Sequence, residues 1–97
     1  MLNYVTLYKW TEQGVKSVKD TVGRVEKAKE LVEKMGGHLL NVYWTQGRYD
    51  LVAFSEWPNE DLAMTFSLAL ASTGNVQSET LRAYSAEDMT RFLDKMP

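Results

Sequence analysis

The chain contains no cysteine and one histidine, His38. Without cysteine there is no disulfide, no thiolate nucleophile and no cysteine-ligated metal. A lone histidine holds a metal only with help from carboxylates, and no cluster with ligand spacing accompanies it. No metal and no cofactor are expected. A basic surplus is also missing: the formal net charge is −2. That argues against nucleic acid and against an anionic membrane surface, both of which need excess cations. No apolar run approaches the roughly 20 residues of a membrane-spanning helix. Met1 leads straight into a strand pattern, so no signal peptide is expected and a cytoplasmic location follows. Repeats, low-complexity tracts and linkers are absent, as are a phosphate-cradling loop, a dinucleotide fingerprint and a nucleophile–base pair. With 97 residues, the chain reads as one domain over 1–97, large enough to build a core without staples.

What the chain does have is a dense β-branched and aromatic stretch from His38 to Ser55. It reads as two strands joined by a tight turn at Thr45-Gln46-Gly47-Arg48, with Gly47 free to take a positive φ. Alternation puts His38, Leu40, Val42 and Trp44 on one face of the first strand, and Leu39, Asn41, Tyr43 and Thr45 on the other. In the second strand, read from Tyr49, the residues Asp50, Val52 and Phe54 share a face. Neither strand has a polar face, so both sides of the sheet need cover. Helices are expected on one side, and a second subunit or a ligand on the other.

The rest of the chain supplies the remaining elements. Leu2 to Lys9 reads as a strand with Val5 and Leu7 on one face and Tyr4, Thr6, Tyr8 and Trp10 on the other. Thr11 is a candidate N-cap for a short turn that Gly14 weakens, and Asp20-Thr21 offers a fresh cap for a longer helix. There Val25, Ala28, Val32 and Met35 form one apolar face, and Gly36-Gly37 ends the helix. Glu30 and Lys34 are spaced for a favourable pair. Trp57-Pro58-Asn59 breaks the sheet, and Asn59 caps a helix apolar nearly all round. Its Leu62, Phe66 and Ala69 are expected to face the sheet, while Met64, Leu68 and Ala71 want other cover. Gly74 closes that helix, Val76 to Tyr84 gives a fourth strand, and Ser85 caps a short terminal helix. Met89, Phe92, Leu93 and Met96 form that helix's apolar stripe, which must dock on its own domain or on a neighbour.

The order predicts an α+β, ferredoxin-like βαββαβ fold: a four-stranded antiparallel sheet with two helices on one face, plus a short C-terminal helix. The second sheet face has no cover within the chain. Sheet-to-sheet dimerisation, of the dimeric α+β barrel type, is the simplest remedy.

Three separated stretches carry a resemblance to a known family. They are Tyr4-Val5-Thr6-Leu7-Tyr8-Lys9-Trp10-Thr11-Glu12-Gln13-Gly14, then Tyr43-Trp44-Thr45-Gln46-Gly47-Arg48-Tyr49-Asp50, and then Gly74-Asn75-Val76 with Glu79-Thr80-Leu81-Arg82-Ala83. Together, over residues 2 to about 84, they resemble the GYD domain family, whose name reflects the pattern in Gly47-Arg48-Tyr49-Asp50. The resemblance implies a ferredoxin-like subunit of the dimeric α+β barrel group. It implies no activity, and so no catalytic residue. Val22-Gly23 departs from the family, whose members tend to carry proline and an acid there, which blunts the helix start.

The residues that could handle a ligand are Tyr8, Trp10, His38, Trp44, Arg48, Tyr49 and Asp50. Arg48 has the planar fork that grips a carboxylate or phosphate. Read the other way, Arg48 and Asp50 only hold the hairpin. His38 is either a strand-end residue or a general base. The aromatic set, which also includes Tyr4 and Tyr43, could line a pocket or pack an interface. Three functional readings follow. The leading one is a non-catalytic small-molecule-binding or regulatory homo-oligomer built on a dimer. A cofactor-independent small oxygenase or isomerase of the dimeric α+β barrel type is the alternative. The third is a partner-binding module that uses the terminal helix.

Overall fold

A computed structural model describes residues 1–97. The strands are β1 (Leu2–Trp10), β2 (His38–Trp44), β3 (Leu51–Trp57) and β4 (Val76–Ala83). The helices are α1 (Glu12–Lys16), α2 (Thr21–Lys34), α3 (Glu60–Ser72) and α4 (Ala86–Asp94), with a 3-10 turn at Val18–Asp20. The sheet order is β2-β3-β1-β4 and every pairing is antiparallel. This is the expected ferredoxin-like arrangement with an added C-terminal helix.

Helix ends follow their sequence signals. Thr11, Asn59 and Ser85 each accept a backbone N–H from the first turn of the helix they precede, at Gly14, Leu62 and Asp88 respectively. Ser85 and Asp88 form a full capping box. Gly36 takes φ +92° at the end of α2. Asp20 precedes α2 but makes no side-chain cap. Glu30 and Lys34 form no ion pair; the only i,i+4 pair is Lys16 with Glu12, and it is exposed.

Register decides what each face carries. Tyr4, Thr6 and Tyr8 stand opposite Ser55, Ala53 and Leu51. Ala53 and Leu51 are buried and Ser55 half-buried, so this is the helix-covered face. The other face carries Val5, Leu7, Val52 and Phe54. In β2 the alternation expected from the sequence fails. Leu39 pairs with Ser55 and Asn41 with Phe54, so Leu40 is an extra residue in a bulge. The bulge puts Leu39 and Val42 on the same, helix-covered side and sends Tyr43 out, 58% exposed. The tight turn is also wrong. β3 begins at Leu51 rather than Tyr49, and the connection is the six-residue loop Thr45–Asp50. Asp50 therefore does not share a strand face with Val52 and Phe54.

The core gathers Val32 from α2, Ala63 and Phe66 from α3, and Trp57 from β3. Trp57, read from sequence as part of a break, is the largest fully buried side chain. Its ring lies 5.4 Å from that of Phe66, tilted by 36°. Gly37 makes room for it: a Cβ there would sit 2.6 Å from the indole Cε3. In α3, Phe66 and Leu62 pack inward as expected, while Met64 and Leu68 are exposed.

The molecule is flat, with extents of 52 × 31 × 18 Å and a radius of gyration of 14.8 Å. A compact chain of this length has a radius of about 12.5 Å. Gly37→Ala is expected to lower unfolding free energy by about 1–3 kcal/mol through overpacking against Trp57. Urea denaturation, read by tryptophan fluorescence, measures it.

Candidate functional site

Five segments meet where β1 ends. Asp50 donates its backbone N–H to the Tyr8 carbonyl at 2.8 Å, and its carboxylate accepts the Trp10 backbone N–H at 2.9 Å. Thr11 then donates its N–H to the Asn75 carbonyl at 3.1 Å and its hydroxyl to the Gly74 carbonyl at 2.6 Å. The Gln13 amide donates to the Thr73 carbonyl and to the Asn75 side chain, both at 3.0 Å. Gly14 has to be glycine in this arrangement, since a Cβ would collide with the Asn75 carbonyl oxygen. Tyr49 reaches past β1 to β4, its hydroxyl donating to Glu79 at 2.7 Å. The three stretches that look separate in the sequence thus bond to one another at one end of the sheet.

A cavity of about 360 Å³ opens beside this junction, between the sheet, the N-terminal half of α2 and the C-terminal half of α3. Its walls are mainly apolar: Tyr8, Val25, Leu31, Leu51, Phe66 and Leu70 among them. Trp10, Thr21, Arg24, Thr73 and Asn75 also line it. Burial pushes the Tyr8 phenol above its usual range, with the Thr6 hydroxyl opposing. Tyr8 is therefore protonated at neutral pH and offers the cavity a hydrogen-bond donor.

The structure divides the seven candidate residues. Tyr8 and Trp10 line the cavity. Trp44 stands at its edge, its indole N–H donating to the Thr21 hydroxyl at 3.0 Å. Asp50 lies behind the wall, on the Trp10 backbone. Tyr49 is committed to Glu79, and Arg48 is exposed with no hydrogen bond or ion pair. His38 begins β2, at the far end from the loop, with Nδ1 3.2 Å from both Glu33 carboxylate oxygens. Sequence reasoning missed Arg24 and gave Thr21 only a capping role. The signal was present: Arg24 precedes Ala28 and Leu31 by four and seven residues, so helical spacing puts it at the margin of the inward stripe. No group of three histidine, aspartate or glutamate side chains comes together to hold a metal ion. No helix is long and apolar enough to cross a membrane.

The model of the GYD domain matches residues 4–93. This chain belongs to the GYD domain family. The match takes in all three stretches that build the junction, so the GYD pattern marks a structural knot beside the cavity. A search of curated proteins returns no match. Among solved structures, the GYD chain is similar to MtbAldR at 9% identity and a TM-score of 0.69, covering 87% of this chain and 52% of that one. It thus spans about half the length of MtbAldR. The protein TTHA0845 from Thermus thermophilus is similar at 24% identity and a TM-score of 0.55, covering 89% and 96%. So is 30S ribosomal protein S6 from Thermotoga maritima, at 15% and 0.57, covering 97% and 98%. At these identities the likeness shows the shared ferredoxin-like fold alone.

The Glu79 hydrogen bond, with burial and the Glu79 charge, raises the Tyr49 pKa, while Arg48 opposes the rise. A raised folded-state pKa means the stabilisation is present below pH 10 and lost as pH climbs through the folded value. Tyr49→Phe is expected to remove a phenol that ionises above the ordinary tyrosine range from the alkaline absorbance titration and to flatten that part of the stability–pH curve. Loss of a phenol that ionises in the ordinary tyrosine range instead would show that the Tyr49–Glu79 bond does not form in solution.

Proposed function

We propose that this protein is a cytoplasmic homo-oligomer, built on a dimer, whose subunits bind a small molecule in the cavity between α2, α3 and the sheet and act in regulation rather than catalysis. The cavity carries this reading. It is pre-formed, mostly apolar and concave, with a few polar groups at one end, and its size falls within the usual range for small-molecule sites. Tyr8 and Trp10 are the sequence-predicted residues that line it, and Trp44 stands beside it on Thr21. Asp50 serves it indirectly, by fixing the Trp10 backbone, whereas Tyr49 ties the loop to Glu79 and Arg48 has no contact with the cavity. The lining includes no carboxylate and no imidazole, and the protonated Tyr8 phenol is a donor rather than a base. That favours binding over the oxygenase or isomerase alternative.

The open sheet face supports assembly. It presents Val5, Leu7 and Val52 with Tyr43, Phe54 and Leu81, the last three exposed. The chain exposes 6751 Å², against about 5,700 Å² for a compact monomer of this mass. The excess, about 1,050 Å², is larger than the roughly 800 Å² that a stable interface covers on one partner, so the chain has surface to spare for one. The α4 stripe of Met89, Phe92, Leu93 and Met96 is also exposed.

Phe54→Glu places a charge in the middle of the open face without touching the cavity. The parent is expected to run as a dimer or a multiple of dimers in native mass spectrometry, and the variant as a monomer. A monomeric parent would contradict the assembly.

A further inference from the structure

The polar groups of the cavity are not balanced in charge. Arg24 and Lys27 line it, with Thr21, Thr73 and Asn75 as the other polar members, and no acid does. Arg24 is half-buried. Its guanidinium donates to the Ser17 hydroxyl at 2.8 Å and to the Gly14 carbonyl at 3.3 Å. Those two bonds hold the side chain in place but leave most of its five N–H donors free. Neither Arg24 nor Lys27 pairs with a carboxylate anywhere in the chain. A partly desolvated cation without a counter-charge is costly, and a ligand anion is the natural remedy. The planar fork favours a carboxylate over a spherical anion. The remaining wall, from Val25 and Leu31 to Phe66 and Leu70, is hydrocarbon and aromatic.

We infer that the cavity takes an apolar monocarboxylate, its acid group on Arg24 and its body between α2, α3 and the sheet. This inference rests on the cavity being the binding site. The 360 Å³ available lies at the small end of the range of small-molecule sites, which suits a compact ligand. A bicyclic aromatic acid or a medium-chain fatty acid fits that description. A zwitterion does not suit the wall, which has no acid to receive an ammonium group.

Calorimetric titration with 2-naphthoate and with neutral, isosteric 2-naphthamide tests the inference. The full chain is used in three forms: parent, Arg24→Gln and Arg24→Lys. The parent is expected to bind the acid about ten- to a hundredfold more tightly than the amide, the usual worth of one charge-assisted pair. Arg24→Gln should erase that preference while leaving amide binding intact, which also shows that the variant is folded. Arg24→Lys should restore part of it. If acid and amide bind the parent equally, the cavity is a site but the anion class is wrong. If neither binds, the inference and the binding function fall together.

Discussion

Trp57 packed against Phe66 is the contact on which the position of both helices depends. The indole is only 2% exposed and lies with Val32 and Ala63 in the one small buried cluster of the molecule. Large buried aromatics contribute more to a core than any other side chain, and with nine buried residues in all there is little to replace this one. Gly37 at the start of the β2 approach and the Trp57 ring fit only because one of them lacks a Cβ. The C-terminal half of α2 and the N-terminal half of α3 are thereby fastened to the same end of the sheet.

The opposite end is fastened differently. There the chain closes through hydrogen bonds: Asp50 to Trp10, Thr11 to Gly74 and Asn75, Gln13 to Thr73, and Tyr49 to Glu79. Polar bonds fix the backbone without filling space. The helices, held by Trp57 at one end, therefore leave the cavity open at the other. The residues that define the GYD pattern build this frame, and Tyr8, Trp10 and Arg24 are the side chains it presents. A pre-organised frame around a mostly apolar hole suits recognition, because little ordering entropy is lost when a ligand enters.

Much of the fold was legible in the sequence because its signals are local. Caps at Thr11, Asn59 and Ser85, the glycine stop at Gly36 and the β-branched strands each follow from neighbouring residues. The misses have non-local causes. The bulge at Leu40 is set by how β2 meets β3, and it reverses a face that strict alternation assigned. The late start of β3 follows from Asp50 turning to bond with β1, which no local pattern reveals. Trp57 was read with the proline after it, yet its burial is decided by α2 and α3. Tyr8 and Trp10 were visible as site candidates because aromatic residues on a strand stand out. Arg24 was not, because one arginine among the charges of α2 takes its meaning from the helix face it occupies.

The three tryptophans of the chain are Trp10, Trp44 and Trp57, and they report on the two ends separately. The decisive measurement is the indole N–H region of a ¹H–¹⁵N spectrum during titration with 2-naphthamide, a neutral probe of the cavity. Trp10 should shift most, Trp44 should follow through its bond to Thr21, and Trp57 should stay in place. Movement of Trp57 with Trp10 unmoved, or no movement at all, would contradict a molecule closed by packing at one end and open to a ligand at the other.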